Sequence, residues 1–219
     1  MMKKVIITGA TGMVGEGVLH ECLQYPDIEE VLLINRRPSG IAHAKIKEVI
    51  QPDFFKFSDL TIDFSTYDAC FFCLGVSSVG MAKEEYYRAT YELTLGVART
   101  LVAQNPNLVF CYISGAGTDS SEKGRSNWAR VKGKTENDLL KLPFKRAYMF
   151  RPGFLEPTPG LKNTLKMYSY IRWMVPLVKP FLFNYMSTLR ELGLAMIHAV
   201  ERGYAKPVLE VKDIKALAK

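Results

Sequence analysis

The run KKVIITGATGMVG at residues 3–15 constrains this chain of 219 residues more than any other segment. Within residues 3–8 two lysines lead into the β-branched run Val5-Ile6-Ile7-Thr8, which reads as a strand. Glycines follow at 9, 12 and 15, and a helical pattern continues to about residue 24. Glycine is needed where backbone must turn tightly or let another group come close. A helix that starts at such a turn aims free N–H groups and a partial positive charge at it, which makes an anion site. A strand, a GxxGxxG turn and a helix in that order point to the pyrophosphate of a bound dinucleotide.

The rest of the chain alternates in the same way. Strands are predicted at 30–35 (EVLLIN), 45–50, 68–74, 108–113 (LVFCYI) and 146–150, with helices at 82–104 and 127–141. The stretch 68–74 is apolar throughout, as in a strand covered on both faces. This order predicts an α/β fold, a doubly wound parallel sheet of Rossmann type. The texture changes at RPGFLEPTPG (151–160), where proline and glycine cluster. A second helix is predicted near 188–202 and a strand-like piece at 207–211. We therefore expect one domain over 1–219. Its dinucleotide-binding core would be 1–152. A small helical C-terminal cap and tail, 153–219, would sit beside the carboxyl edge of the sheet, where ligands bind.

Composition removes several classes. With 48% hydrophobic and 23% charged residues the chain is neither disordered nor a disulfide scaffold. A net charge of +7 hints at nucleic acid, but the charge is unevenly placed. Residues 1–140 hold 15 basic and 17 acidic side chains, and residues 141–219 hold 14 and 5. The excess thus describes the last third, read as surface around a pocket with attraction for an anionic substrate or partner; no nucleic acid is expected. Cys70 and Cys73 form a CxxC, but on a predicted strand they point to opposite faces, which suits neither a redox pair nor zinc. No signal peptide and no transmembrane segment is read, so a soluble, reduced, cytoplasmic protein is expected. His20, His43 and His198 lack metal-ligand spacing, and no metal site is expected. Ser114-Gly-Ala-Gly117 is no nucleophile elbow.

The end of the second strand selects the cofactor. An NAD binder usually places an acid there for the ribose hydroxyls. This chain reads Ile34-Asn35-Arg36-Arg37-Pro38. Two guanidinium groups suit an adenosine 2′-phosphate. NADP(H) is therefore preferred, with NAD(H) left open.

In these residues the sequence resembles the atypical branch of the short-chain dehydrogenase/reductase superfamily. That branch is NAD-dependent epimerase/dehydratase-like and includes NmrA-like redox sensors and Tat-interacting oxidoreductase-like proteins. The carrying motifs are TGATGMVG at 8–15, INRR at 34–37, FFCLG at 71–75, YISGAG at 112–117, WARVKGKTE at 128–136 and RPGFLEP at 151–157. The resemblance implies that Gly9, Thr11, Gly12, Met13, Val14 and Gly15 line the pyrophosphate. It implies that Asn35, Arg36 and Arg37 lie by the adenosine ribose and that Asp53 contacts adenine, though Asp53 also reads as a plain loop acid. Leu74, Gly75 and Val76 would end the fourth strand beside the cofactor ribose. Ser114 would be the active-site serine, and Pro152 and Gly153 would approach the nicotinamide.

One departure bears on function. The family's catalytic pair is Tyr-x-x-x-Lys, and here it reads Trp128-Ala-Arg-Val-Lys132. An indole has an N–H donor but no proton to release, so Trp128 cannot act as the phenol does. Lys132 still sits one helical turn on, where it can hold a ribose. Three readings stay open. The protein binds NADP(H) without redox chemistry, as a sensor or regulator. Another donor serves, with Ser114, Ser77, Lys83, Tyr86 and Tyr87 as candidates. Or water suffices. The aromatic, basic stretch 168–185 reads as a cap over the substrate pocket, a partner surface or a membrane-surface contact. Substrate identity, and monomer against homo-oligomer, are not set by the sequence.

Overall fold

The structure, a computed structural model, describes residues 2–163 and 185–219. Its strands are β1 (Lys3–Thr8), β2 (Ile28–Asn35), β3 (Ile46–Ile50), β4 (Ala69–Phe72), β5 (Val109–Ile113), β6 (Arg146–Arg151), β7 (Phe154–Glu156), β8 (Met186–Thr188) and β9 (Val208–Glu210). Seven of them form one parallel sheet in the order β3-β2-β1-β4-β5-β6-β9. The order reverses beside β1, between β2 on one side and β4 on the other, and a crevice opens at that switch point. β7 and β8 pair as a separate small parallel sheet.

The helices are α1 (Met13–Gln24), α2 (Lys83–Tyr87), α3 (Leu93–Gln104), α4 (Asn127–Leu139), α5 (Leu189–Glu201) and α6 (Val211–Leu217). Because side chains alternate along a strand, the sheet feeds two cores. On one face Val5, Ile7, Phe71, Cys111 and Phe150 pack with Val18 and Leu19 of α1 and Leu192 and Met196 of α5. On the other, Ile6, Phe72, Phe110 and Tyr112 pack with Leu95, Ala98 and Leu101 of α3. The expected doubly wound Rossmann-type sheet is what the chain forms. Cys70 belongs to one core and Cys73 packs on the other, and all four cysteines are free thiols.

Three differences have physical causes. The stretch 82–104 is not one α-helix, because a wide π turn at Arg88–Glu92 separates α2 from α3. The fourth strand stops at Phe72, so Leu74, Gly75 and Val76 lie past its end rather than within it. The C-terminal third does more than flank the sheet. β9 extends it through Phe150↔Leu209 and Arg151↔Glu210, and α5 packs on α1. A strand of three residues carries too little alternation to be read as part of a sheet. α5 begins at a capping box in which Thr188 Oγ1 accepts from Glu191 N (2.9 Å) and Glu191 accepts from Thr188 N (2.8 Å).

Part of the C-terminal charge gathers at a second hollow. Arg190, Lys212, Lys215 and Lys219 line a hollow of about 410 Å³ between α5 and α6, and no residue of that hollow belongs to the crevice at the switch point. The basic aromatic stretch 168–185 lies, apart from Tyr185, outside the described residues. His198 is structural: its Nδ1 lies 2.7 Å from Leu217 O, tying α5 to α6. Among the described residues no helix is long and apolar enough to cross a membrane, and no group of side chains could hold a metal ion.

Candidate functional site

Parallel pairing puts the ends of β1, β4, β5 and β6 on one edge, and the site is built there. Past β1 the chain turns at Gly9, whose φ of +75° suits glycine. An added side chain there would lie 3.0 Å from the Cys73 carbonyl. Gly12 N donates to Gly9 O (3.0 Å), and α1 starts at Met13 with no side chain capping it. Its first-turn N–H groups therefore point outward without a side-chain partner. Gly15 sits under the turn, where an added Cβ would fall 2.2 Å from Gly9 O. Gly15→Ala is thus expected to cost about 1–3 kcal/mol by overpacking. It should also displace the turn, seen together as a lowered Tm and lost nucleotide binding by calorimetry. Retention of both would show that the turn tolerates a side chain.

A cleft of about 490 Å³ opens in front of the turn. Gly12, Met13 and Val14 form one wall, and Leu74, Gly75 and Val76 another. Ser114, Trp128, Lys132, Pro152 and Gly153 form the rest, joined by Cys73, Ile113, Gly115, Ala116 and Leu155. Eleven of the residues singled out in the sequence thus meet around one space. Gly9, Thr11 and Gly15 shape the turn without lining the cleft.

The remaining candidates are placed differently. Asn35 is buried with its amide occupied at both ends: Oδ1 accepts from Ala10 N (2.9 Å) and Nδ2 donates to Glu48 Oε1 (2.9 Å). Asn35 braces the glycine turn rather than standing free toward a ribose. Arg36 and Arg37 are exposed just past β2 and have no ion pair among the described residues. Asp53 is exposed, and its Oδ1 accepts from Phe55 N (3.0 Å), capping the short helix Phe54–Asp59. Of the alternative donors, Tyr86 is core, and Ser77 is exposed and does not line the cleft. Lys83 and Tyr87 line a neighbouring hollow with Asn127 and Val131.

The chemistry-bearing wall is held by β5, β6 and α4. Ser114 N donates to Phe150 O (2.9 Å) and Ala116 N to Pro152 O (2.8 Å), pinning the loop after β5 to the end of β6. Lys132 Nζ donates to Ser114 O. Loss of hydration pushes the Lys132 ammonium down to about 8, against the opposing pull of Glu136. Burial pushes the Cys73 thiol up. Trp128 is half-buried one turn before Lys132, and its ring edge passes Gly117, 3.5 Å from where a Cβ would be.

Behind this wall lies a cluster that sequence reasoning misses. Ser114 Oγ is 2.5 Å from Glu136 Oε1 and 3.1 Å from Phe150 O. Glu136, one turn past Lys132, is 1% exposed. Arg151 Nε reaches Glu136 at 3.0 and 3.2 Å, and Arg151 Nη2 reaches it at 2.5 Å. Arg151 also donates to Glu210 (3.1 Å) and Ser120 Oγ (2.5 Å). Glu136 ends the motif WARVKGKTE, and Arg151 begins RPGFLEP. The available signal is an acid four residues after a lysine, which on a helix normally reads as a solvated pair.

The model of the NAD dependent epimerase/dehydratase family matches residues 5–127. The chain belongs to the NAD dependent epimerase/dehydratase family. Among its relatives, Protein HTATIP2 of Rattus norvegicus is 30% identical over 165 residues, 72% of this chain and 67% of that protein. Protein FMP52, mitochondrial, of Meyerozyma guilliermondii is 25% identical over 153 residues, 69% of this chain and 65% of that protein. The match thus spans less than two thirds of the second relative's length. The Bordetella bronchiseptica enzyme WbmF, solved in complex with NAD+, shares the fold. It has a TM-score of 0.67 at 12% identity, covering 99% of this chain and 76% of that one. The residues present fit the nucleotide that the family name implies. An uncapped helix start, a turn that excludes side chains and the bare Gly75 all front one cleft.

Proposed function

We propose that this chain binds NADP(H) and acts as an atypical short-chain reductase on a small carbonyl-type substrate. The observation that carries the reading is the cleft in which the start of α1, Gly75, Ser114, Lys132 and Pro152–Gly153 converge. In this reading the first-turn N–H groups of α1 hold the pyrophosphate, and Lys132 and the Leu74–Val76 backbone meet the ribose. When bound, the reduced nicotinamide supplies a hydride. Arg36 and Arg37 support NADP(H) over NAD(H), because both guanidinium groups are exposed and unpaired among the described residues. The nearby acid, Glu48, already accepts from Asn35 and from Ser39 N.

Calorimetric titration with NADPH and NADH tests the first half. Binding of neither would sink the proposal. The double variant Arg36→Ala, Arg37→Ala is expected to weaken NADPH by about 1.5–3 kcal/mol, the worth of charge-assisted hydrogen bonds. NADH affinity should hardly change. Equal losses for both would remove the assignment of the two arginines. NADPH oxidation against a panel of aldehydes and ketones tests the second half.

Trp128 favours a second reading, an NADP(H)-binding redox sensor or regulator. Tight nucleotide binding by the wild type, with no turnover across the panel, would select it.

A further inference from the structure

We infer that Lys132 is the proton donor of this site, the role that a phenol would fill at position 128. The inference rests on the reductase reading and deepens it.

The side chains on the cleft are mostly unable to give up a proton. Among the described residues that line it, only Cys73 and Lys132 are ionisable. The Cys73 thiol is held protonated by burial and is a poor acid. Trp128 presents an indole N–H that stays on its ring. Ser114 carries one hydroxyl proton, and both groups in reach of Oγ on the protein side are acceptors: Glu136 Oε1 at 2.5 Å and Phe150 O at 3.1 Å. Arg151 donates to both oxygens of Glu136 from its other side. The proton on Ser114 is thus committed away from the cleft, and only its lone pairs remain for a ligand.

Lys132 is placed differently. It lines the cleft, and of its three N–H bonds one is spent on Ser114 O, leaving two. The groups around it are few. Glu136 lies one turn along the same helix, already engaged by Arg151 from β6. Cys73 stands past β4, and the positive end of α1 faces it across the cleft. The balance leaves a lysine that titrates near neutral pH, at about 8, where a proton donor works best.

A bound reduced nicotinamide would supply the hydride to the carbonyl carbon and be oxidised in turn. The carbonyl oxygen takes a proton from Nζ as the N–H bond breaks and an O–H bond forms. Lys132 is left neutral and is reprotonated from solvent.

Two measurements test this. The first needs neither nucleotide nor substrate: competitive labelling of the free protein with acetic anhydride from pH 6 to 11, read at Lys132 by peptide mass spectrometry. A midpoint near 8 is expected, well below that of the exposed lysines, and a midpoint equal to theirs overturns the assignment. The second uses nitrobenzaldehyde, hexanal and phenanthrenequinone with NADPH. Lys132→Arg keeps the charge but cannot release the proton. At saturating NADPH its turnover should fall by about 10²–10⁴-fold, the usual worth of a positioned acid, whatever the change does to nucleotide affinity through the ribose contact. Ser114→Ala keeps the backbone oxygen that holds Nζ and should lose less than Lys132→Arg. Turnover of Lys132→Ala should be partly restored by small alkylamines, with a rescued rate that follows the amine's pKa, as proton transfer requires. Reduction by the wild type should fall as pH rises through about 8, because the protonated form is the donor. Wild-type turnover by Lys132→Arg overturns the donor role alone. Nucleotide binding without any wild-type turnover overturns the reductase reading, and the donor role with it.

Discussion

Glu136→Ala is expected to lower the free energy of unfolding by about 3–5 kcal/mol, the usual cost of stranding one partner of a buried ion pair. The reason is Arg151. Its side chain is 11% exposed, and its strongest partner is the Glu136 carboxylate, which is 1% exposed. Without that carboxylate a guanidinium would remain in a poorly hydrated place with the half-exposed Glu210 as its only acidic partner among the described residues. Burial alone would push the arginine down, but Glu136 and Glu210 hold its proton more firmly than usual. Urea unfolding followed by circular dichroism measures the loss. The double variant Glu136→Leu, Arg151→Met removes both charges and should recover most of it, since apolar pairs of similar size often match buried ion pairs. A single variant within about 1 kcal/mol of wild type would show that water reaches this cluster and solvates Arg151. The effect should also reach the cleft, because Glu136 holds the Ser114 hydroxyl and ends the turn that carries Lys132.

Trp128→Tyr is expected to raise turnover about ten- to a hundredfold, the lower end of what a positioned acid contributes because Lys132 already supplies a proton. The substitution places a phenol one helical turn before Lys132, on the wall that already holds Ser114. The ammonium beside it would lower the phenol's pKa, the arrangement from which this chain departs. Stopped-flow NADPH oxidation with saturating aldehyde reads the chemical step apart from nucleotide binding. Unchanged turnover at unchanged NADPH affinity would mean that the chemistry does not depend on a phenol at this position. A wild type without turnover that gains it through this one change would favour the regulator, with Trp128 as the residue that silences the site. Packing should suffer little, since the indole is only half-buried and its far edge rests on Gly117.

Much of this site is legible in the order of residues. The glycine turn, the loop past β4, Ser114, Trp128, Lys132 and Pro152–Gly153 each end a strand or begin a helix, and parallel strands bring such ends to one edge. Local order is enough to place them together. Asn35 shows a bracing role that its position alone does not reveal. Its position at the end of β2 is as expected, but only the three-dimensional contact with Ala10 N and Glu48 shows its amide already occupied. Asp53 has the same ambiguity, since an exposed loop acid and a helix cap look alike in one dimension. Net charge has no direction, so the C-terminal excess does not by itself say which hollow a basic residue lines. The folded chain puts Arg190, Lys212, Lys215 and Lys219 around a separate hollow.

What the amino-acid order determines by itself is local and periodic. It sets the alternation of strands and helices, the turn that no side chain can enter, and the replacement of a phenol by an indole at a fixed distance from a lysine. Tertiary structure alone decides which distant groups satisfy one another. Glu136 meets Arg151 across 15 positions and Ser114 across 22, and Arg151 meets Glu210 across 59. These pairs follow from helix and strand packing, which no local pattern encodes. They also turn the Ser114 hydroxyl toward Glu136 and Phe150 O, which is the ground for proposing Lys132, among the described residues on the cleft, as the proton donor.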